Sequence, residues 1–245
     1  MDVVVPTLAD GAVSEGPFPP VVFIQGGLVD VARYHWLLAH IASRGFVVFA
    51  PHHVGQLAFF EQGNGLSALH AARAASRNPR DVLFRRLSDQ PALIMGHSLG
   101  GVVASKAWLA EPGTVSHLAL LASIPDPADD IASRRDGLVL AVAGAADARI
   151  GPAEVRAGAD AFRSPLVAAE VEGLTHYAWT DDNSAQDLAS DGTTDLALED
   201  VRRSALFLVD ALLADLAGAN EALALHDEQT WPPLVTPLAD VGDSR

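Results

Sequence analysis

Serine 98 lies in Gly96-His97-Ser98-Leu99-Gly100-Gly101, a G-x-S-x-G pattern with the apolar run 92–95 before it and a further apolar stretch after it. A buried strand leading in and a helix leading out are the context in which this pattern carries chemistry. A residue forced into so tight a strand-to-helix turn takes strained backbone angles, and the glycines on either side keep a Cβ from striking the adjoining strand or helix. The turn thrusts the Ser98 hydroxyl outward at a helix N-terminus, where free N–H groups and the positive end of the dipole favour a developing oxyanion. Phosphate-binding turns share this outline, but no Lys or Thr is placed here to hold a nucleotide. The pattern points to nucleophilic attack by Ser98.

A serine hydroxyl is a poor nucleophile until a base takes its proton. Of the nine histidines, His35, His40, His70 and His117 fall on expected helices or at a strand start, and His226 falls in the C-terminal tail. His97 adjoins Ser98 but should point away from it. His176, in Glu172-Gly-Leu-Thr-His176-Tyr-Ala-Trp, directly follows the last apolar run and is the preferred base. A carboxylate must then hold the imidazole in one tautomer and stabilise its cation. Asp147, leaving the run 138–143 through Gly144-Ala-Ala-Asp147, is preferred, with Asp126 after the run 118–121 as the competitor. Two N–H donors complete such a site. Leu99 is one, and the turn Gln25-Gly26-Gly27-Leu28 supplies the other, Gly27 before Leu28. Leu28, His52, Ile124 and Tyr177, all in segments that follow strands, are the candidate substrate-pocket residues.

The elements that must position these residues are short apolar runs at 21–24, 46–50, 92–95, 118–121, 138–143 and 166–171, bounded by Gly, Pro or Asp as strands buried on both faces are. Helical patterns alternate with them at 34–43, 66–77, 99–109, 152–162 and 195–216, and Asn78-Pro79 reads as a helix start running to about Ser88. Alternating strands and helices predict an α/β fold with a mostly parallel sheet covered on both faces, whose ligands bind beyond the carboxyl ends of the strands. Only a short connection separates Asp126 from the run at 138, so no large cap domain is expected. Any lid would have to come from residues 56–66, with Gly63 and Gly65 as hinges. The chain reads as a single domain over 1–245, with a core of about 20–218 and a tail of about 219–245 that either docks through Trp231 or stays loose.

Composition excludes other chemistries. The chain has 245 residues and no cysteine, which removes thiol catalysis and cysteine-held metal clusters. Its 16 basic and 31 acidic residues leave a net charge of −15, a field that repels phosphate backbones, so nucleic acid is not an expected partner. The adjacent pair His52-His53 cannot form a metal-binding face alone, and the acid-rich stretch 181–195 lacks the calcium-loop spacing and reads as a solvated loop. No metal or cofactor is expected. No segment reads as a membrane span, and the acidic N-terminus is unlike a signal peptide; a cytoplasmic location is expected, although a secreted mature form would read the same.

These residues resemble the α/β-hydrolase fold family, and more narrowly its chlorophyllase-like, dienelactone-hydrolase-like and polyester (PET) hydrolase-like serine esterases. The resemblance covers about Pro20 to Trp179. It rests on Phe23-Ile-Gln-Gly-Gly-Leu28, on Tyr34, on Leu37-Leu-Ala-His-Ile-Ala-Ser-Arg-Gly-Phe-Val-Val-Phe-Ala-Pro51, on the Ser98 motif, on Gly-Ala-Ala-Asp147 and on Leu-Thr-His176. It implies Ser98 as nucleophile, Asp147 as acid, His176 as base and Gly27 and Leu99 as oxyanion donors, acting without a cofactor on a small-molecule or polymeric carboxylic ester. Carbon–carbon hydrolysis, lactone hydrolysis or acyl transfer on the same residues, and a non-catalytic ligand-binding scaffold, are the alternatives. Gln25 stands where many members have the His of a His-Gly turn, and Leu99 replaces the Arg of the plant chlorophyllase motif, so chlorophyll is not carried over as substrate. The segment 51–91 has no aligned counterpart, and substrate choice is expected to reside there.

Overall fold

The computed structural model describes residues 1–58, 63–218 and 223–238. Each central strand is apolar on both faces, and its residues divide alternately between two cores. In β2 (Pro20–Ile24), Val21 and Phe23 pack with Leu37 and Ile41 of α1 (His35–Ser43) and with Leu208 and Leu212 of α6 (Leu198–Leu216). Val22 and Ile24 pack on the opposite side with Leu69 of α2 (Asn64–Ser76), Val103 and Trp108 of α3 (Leu99–Ala110) and Val155 of α4 (Pro152–Ala159). The period-two pleat thus forces helices onto both faces of the sheet.

The remaining strands are β1 (Asp2–Val4), β3 (Val47–Ala50), β4 (Ala92–His97), β5 (Val115–Leu121), β6 (Leu138–Gly144), β7 (Leu166–Val171) and β8 (Val235–Pro237). They form one sheet in the order β1-β3-β2-β4-β5-β6-β7-β8. The six inner strands are parallel, and β1 and β8 add antiparallel to the edges. From β2 the chain first adds β3 on one side and then crosses back to add β4 on the other. The loops leaving β2 and β4 therefore part at a topological switch point, which is where a parallel sheet opens a crevice beyond its carboxyl ends. Between β5 and β6 the only helical structure is one turn, Ile131–Ser133, and no large cap is inserted there.

The observed fold departs from the sequence expectation at the sheet edges, in residues 78–88 and in two short helices, and it decides between the two alternatives for the tail. The sheet extends past the expected core of 20–218 at both edges, because β1 and β8 are three-residue antiparallel strands too short to announce themselves. The tail docks: Trp231 is buried, its indole N–H donates to the Ala224 carbonyl at 3.1 Å, and the Leu238 amide donates to Ala168 at 2.8 Å. Residues 78–88 form successive turns rather than a helix. There Asn78 and Asp81 each bond an amide two residues on, closing local turns that compete with a helix, and Leu83 and Leu87 are drawn under Val47 and Phe49. Two short helices, α5 (Ala185–Ala189) and α7 (Leu223–His226), also went unanticipated. Gly65 lies inside α2 against Ile24 rather than at a hinge, and Phe59 to Gln62, the middle of the suggested lid, lie outside the described residues.

Close approach of backbones accounts for the glycines around residue 98. A Cβ on Gly96 would strike the Gly100 carbonyl, whereas one on Gly113 would meet nothing within 4 Å. Gly96→Ala should therefore cost about 2 kcal/mol or more of unfolding free energy, the range for overpacking a tight site, and Gly113→Ala should stay within about 0.5 kcal/mol of the parent. Urea-denaturation midpoints of the two variants check this, and equal midpoints would contradict it.

Candidate active site

Strand β4 runs in register with β5 to its last residue, His97 opposite Leu121, and the Ser98 amide then donates to the Leu121 carbonyl at 3.0 Å. At Ser98 the backbone switches to φ 53°, ψ −128°, a conformation that L side chains rarely adopt, and α3 begins at the next residue. The turn is pinned from just beyond the neighbouring strand β5, where Ser123 Oγ donates to the Ser98 carbonyl at 2.6 Å. A Cβ on Gly100 would collide with the carbonyls of Ile24 and Gln25, so its absence lets the start of α3 settle on the end of β2. This brings Gly27 against Leu99, a Cβ on Gly27 lying 3.0 Å from Leu99 Cδ2.

His176 opens a 3-10 turn, His176–Trp179, that follows β7 after a short loop, and it is buried. Its Nδ1 lies 2.8 Å from Asp147 Oδ2 and its Nε2 lies 2.9 Å from Ser98 Oγ. The ionised carboxylate can only accept, so Nδ1 carries the proton and Nε2 is left to accept from the serine hydroxyl. Asp147 is itself immobilised, its other oxygen accepting the Arg149 and Ile150 amides at 2.7 and 2.8 Å. The structure thus brings together in one line the serine, histidine and aspartate singled out from the sequence. Asp126 is elsewhere: it ion-pairs with Lys106 at 2.8 Å, and that hydrogen bond holds it below the usual carboxylate range.

The turn after β2 distinguishes the two candidate donors. The Leu28 amide is already committed to the Gln56 carbonyl at 2.8 Å, whereas the Gly27 amide has no hydrogen-bond partner among the described residues. Leu99 is the first residue of α3, and the amides of a first helical turn have no partner in the helix's own ladder. Among the expected pocket residues, Leu28 is exposed, Ile124 is half-buried over Gly158 of α4, and Tyr177 stands edge-on to His176 with ring centroids 5.4 Å apart. His52 does not fit the expectation. Its Nε2 pairs with Asp2 of β1 at 2.8 Å at the edge of the sheet, while buried His53, on the opposite side of an extended backbone, holds Gln25 Oε1 at 3.0 Å. That bond fixes the Gln25 side chain at the start of the turn after β2.

Two groups of supporting residues were not singled out from the sequence. Asp191 accepts the backbone amides of His176 at 2.9 Å and Tyr177 at 2.7 Å, and Arg33 bonds Asp181, Asn183 and Asp187, so the stretch read as a solvated loop is tied to the site. The second group is a buried relay. The Gly26 amide donates to Tyr34 Oη at 2.9 Å, Tyr34 Oη lies 2.8 Å from His97 Nδ1, and His97 Nε2 lies 3.1 Å from the His176 carbonyl. A carbonyl only accepts, so Nε2 donates, and in the neutral ring Nδ1 then accepts from the phenol. Burial, reinforced by neighbouring His176, pushes His97 well below the ordinary imidazole range, and burial raises the Tyr34 phenol. Both residues lie in the stretches that carry the family resemblance, but residue type and spacing assign neither of them a role.

Among the described residues no group of three or more His, Cys, Asp or Glu is placed to hold a metal ion, and no helix is long and apolar enough to cross a membrane. A comparison with curated proteins finds no match. A sequence model of the alpha/beta hydrolase family matches residues 20–185. That span covers well over half of the 245 residues and includes the segments bearing Gly27, Ser98, Asp147 and His176, and the chain therefore belongs to the alpha/beta hydrolase family.

Proposed function

We propose that the protein is a cofactor-independent serine hydrolase that cleaves a carboxylic ester through an acyl-enzyme intermediate. Membership of the alpha/beta hydrolase family supports hydrolase chemistry. The observation that carries the finer reading is the pair of hydrogen bonds on His176, one to Ser98 Oγ at 2.9 Å and one to Asp147 Oδ2 at 2.8 Å. Ser98 Oγ attacks the ester carbonyl carbon as its proton passes to His176 Nε2. Asp147 holds the ring tautomer and stabilises the imidazolium. The carbonyl oxygen, now an oxyanion, takes hydrogen bonds from the Gly27 and Leu99 amides. Collapse breaks the bond to the alkoxy oxygen, which leaves as the alcohol with the proton from His176. Water, deprotonated by the same imidazole, then releases the acid and restores the serine.

Ser98→Ala should lower ester turnover by on the order of 10³-fold or more with folding intact. An unchanged rate on p-nitrophenyl esters would remove the assignment. Asp147→Asn should place the proton on the wrong ring nitrogen and lower turnover by roughly 10⁴-fold, whereas Asp126→Asn should change it little. Steady-state rates of the pair decide between the carboxylates, and a crippled Asp126→Asn with a healthy Asp147→Asn would refute the choice of Asp147. A panel of esters, lactones, amides and diketones assigns the substrate class: preference for esters is expected, and preference for diketones would mark carbon–carbon hydrolysis.

A further inference from the structure

The proposed site hangs from four different strands. The Gly26–Gly27 turn follows β2, Ser98 follows β4, Asp147 follows β6 and His176 follows β7. In the sheet β7 is separated from β4 by β5 and β6, so the ladder of strand hydrogen bonds does not set the His176 loop against the Ser98 turn directly. One buried side chain spans that gap. His97, fully buried at the end of β4, bonds the His176 carbonyl through Nε2 at 3.1 Å and, through Nδ1, the Tyr34 hydroxyl at 2.8 Å. Tyr34, also fully buried, accepts the Gly26 amide at 2.9 Å. Consecutive glycines restrict the backbone little, so the conformation of Gly26–Gly27 depends on such external bonds. The fit is close: a Cβ on Gly26 would lie 3.0 Å from both Tyr34 Oη and His97 Nδ1, and 3.4 Å from Ser98 Cβ.

Resting on the reading of Ser98 and His176 as the reacting pair, we propose that Tyr34 and His97 are positioning residues that hold the Gly27 amide and the His176 loop in register on Ser98. Every donor in the relay has one acceptor: Gly26 N–H to the phenol oxygen, phenol O–H to Nδ1, Nε2–H to the His176 carbonyl. Because the oxyanion exists only after attack, loosening the Gly26–Gly27 turn weakens the transition state and leaves ground-state binding alone. Removal of a whole oxyanion donor costs about 10²–10³-fold in turnover, and displacement of one should cost less.

The test is Tyr34→Phe, which removes only the hydroxyl, assayed on a p-nitrophenyl ester beside the parent. The expected result is a fall in kcat of about 10–100-fold with KM within about twofold. A parallel loss of affinity for an alkylboronic acid, which mimics the tetrahedral adduct, is expected alongside it. An unchanged kcat, or a loss carried by KM alone, overturns the proposal. A second measurement on the parent protein needs neither activity nor a variant. Nitrogen-15 NMR of the His97 ring should show a neutral imidazole with the proton on Nε2 between pH 5 and 8, and a ring that gains a second proton in that range overturns the relay. A parent that turns over no ester, lactone, amide or diketone of the panel would instead overturn the Ser98 reading, with the ring spectrum still deciding whether the relay exists.

Discussion

The reversal of chain direction at Ser98 is the constraint on which the rest of the site depends. A single residue with left-handed φ carries the backbone from the end of β4 straight into α3, and the strain is tolerable because surrounding contacts over-determine it. Ser123 clasps the Ser98 carbonyl, the Ser98 amide is spent on β5, and the lack of a Cβ at Gly96 and Gly100 lets strand and helix meet backbone to backbone. An extended or helical residue at this position would leave the hydroxyl within the sheet or on a helix flank. The observed conformation instead lifts it above the carboxyl edge beside the first amides of α3.

Placement above the edge does not by itself assemble the site, because the groups hydrogen-bonded in line with the hydroxyl come from segments distant in sequence. Asp147 is held by the amides of its own turn, and His176 is held by Asp147 through the ring and by Asp191 through the backbone. Gly192, beside Asp191, abuts the Ala146 carbonyl so closely that a Cβ there would collide with it. One loop thereby contacts both the Asp147 turn and the His176 turn. His97 adds a direct bond from the Ser98 strand to the His176 backbone, and Tyr34 carries it on to Gly26. Loops of a parallel sheet are otherwise joined only through their strands; here side-chain to backbone bonds join them to one another.

How much of this could be read in advance depended on whether a role is written locally. The six inner strands and most helices were legible because burial on both faces leaves continuous apolar runs bounded by turn residues. Ser98, His176 and Asp147 were legible because each stands just beyond such a run, where the topology must open a crevice. Asp126 also stands there and was kept as the competitor of the preferred Asp147; the fold separates them, pairing Asp126 with Lys106 and Asp147 with His176. His52 and His53 show the same limit, since which of two neighbours turns inward depends on the strand ending and not on the residue type. Tyr34, His97 and Asp191 act through backbone groups remote in sequence, a relation that composition and spacing do not encode. The helix expected over 78–88 failed because Asn and Asp satisfied turn amides instead, and because Leu83 and Leu87 gained more by burial against β3 than by continuing a helical ladder.

In the proposed mechanism Ser98 is a nucleophile made reactive by the folded arrangement around it. The most direct measurement is peptide mapping by mass spectrometry after treatment with a fluorophosphonate, which forms a stable phosphonyl adduct with an activated serine hydroxyl. The account predicts one adduct per chain, on the peptide containing Ser98, formed by the native protein and abolished when the chain is unfolded in urea before exposure. Absence of an adduct in the native protein, or an adduct on a different serine with Ser98 unmodified, would contradict it.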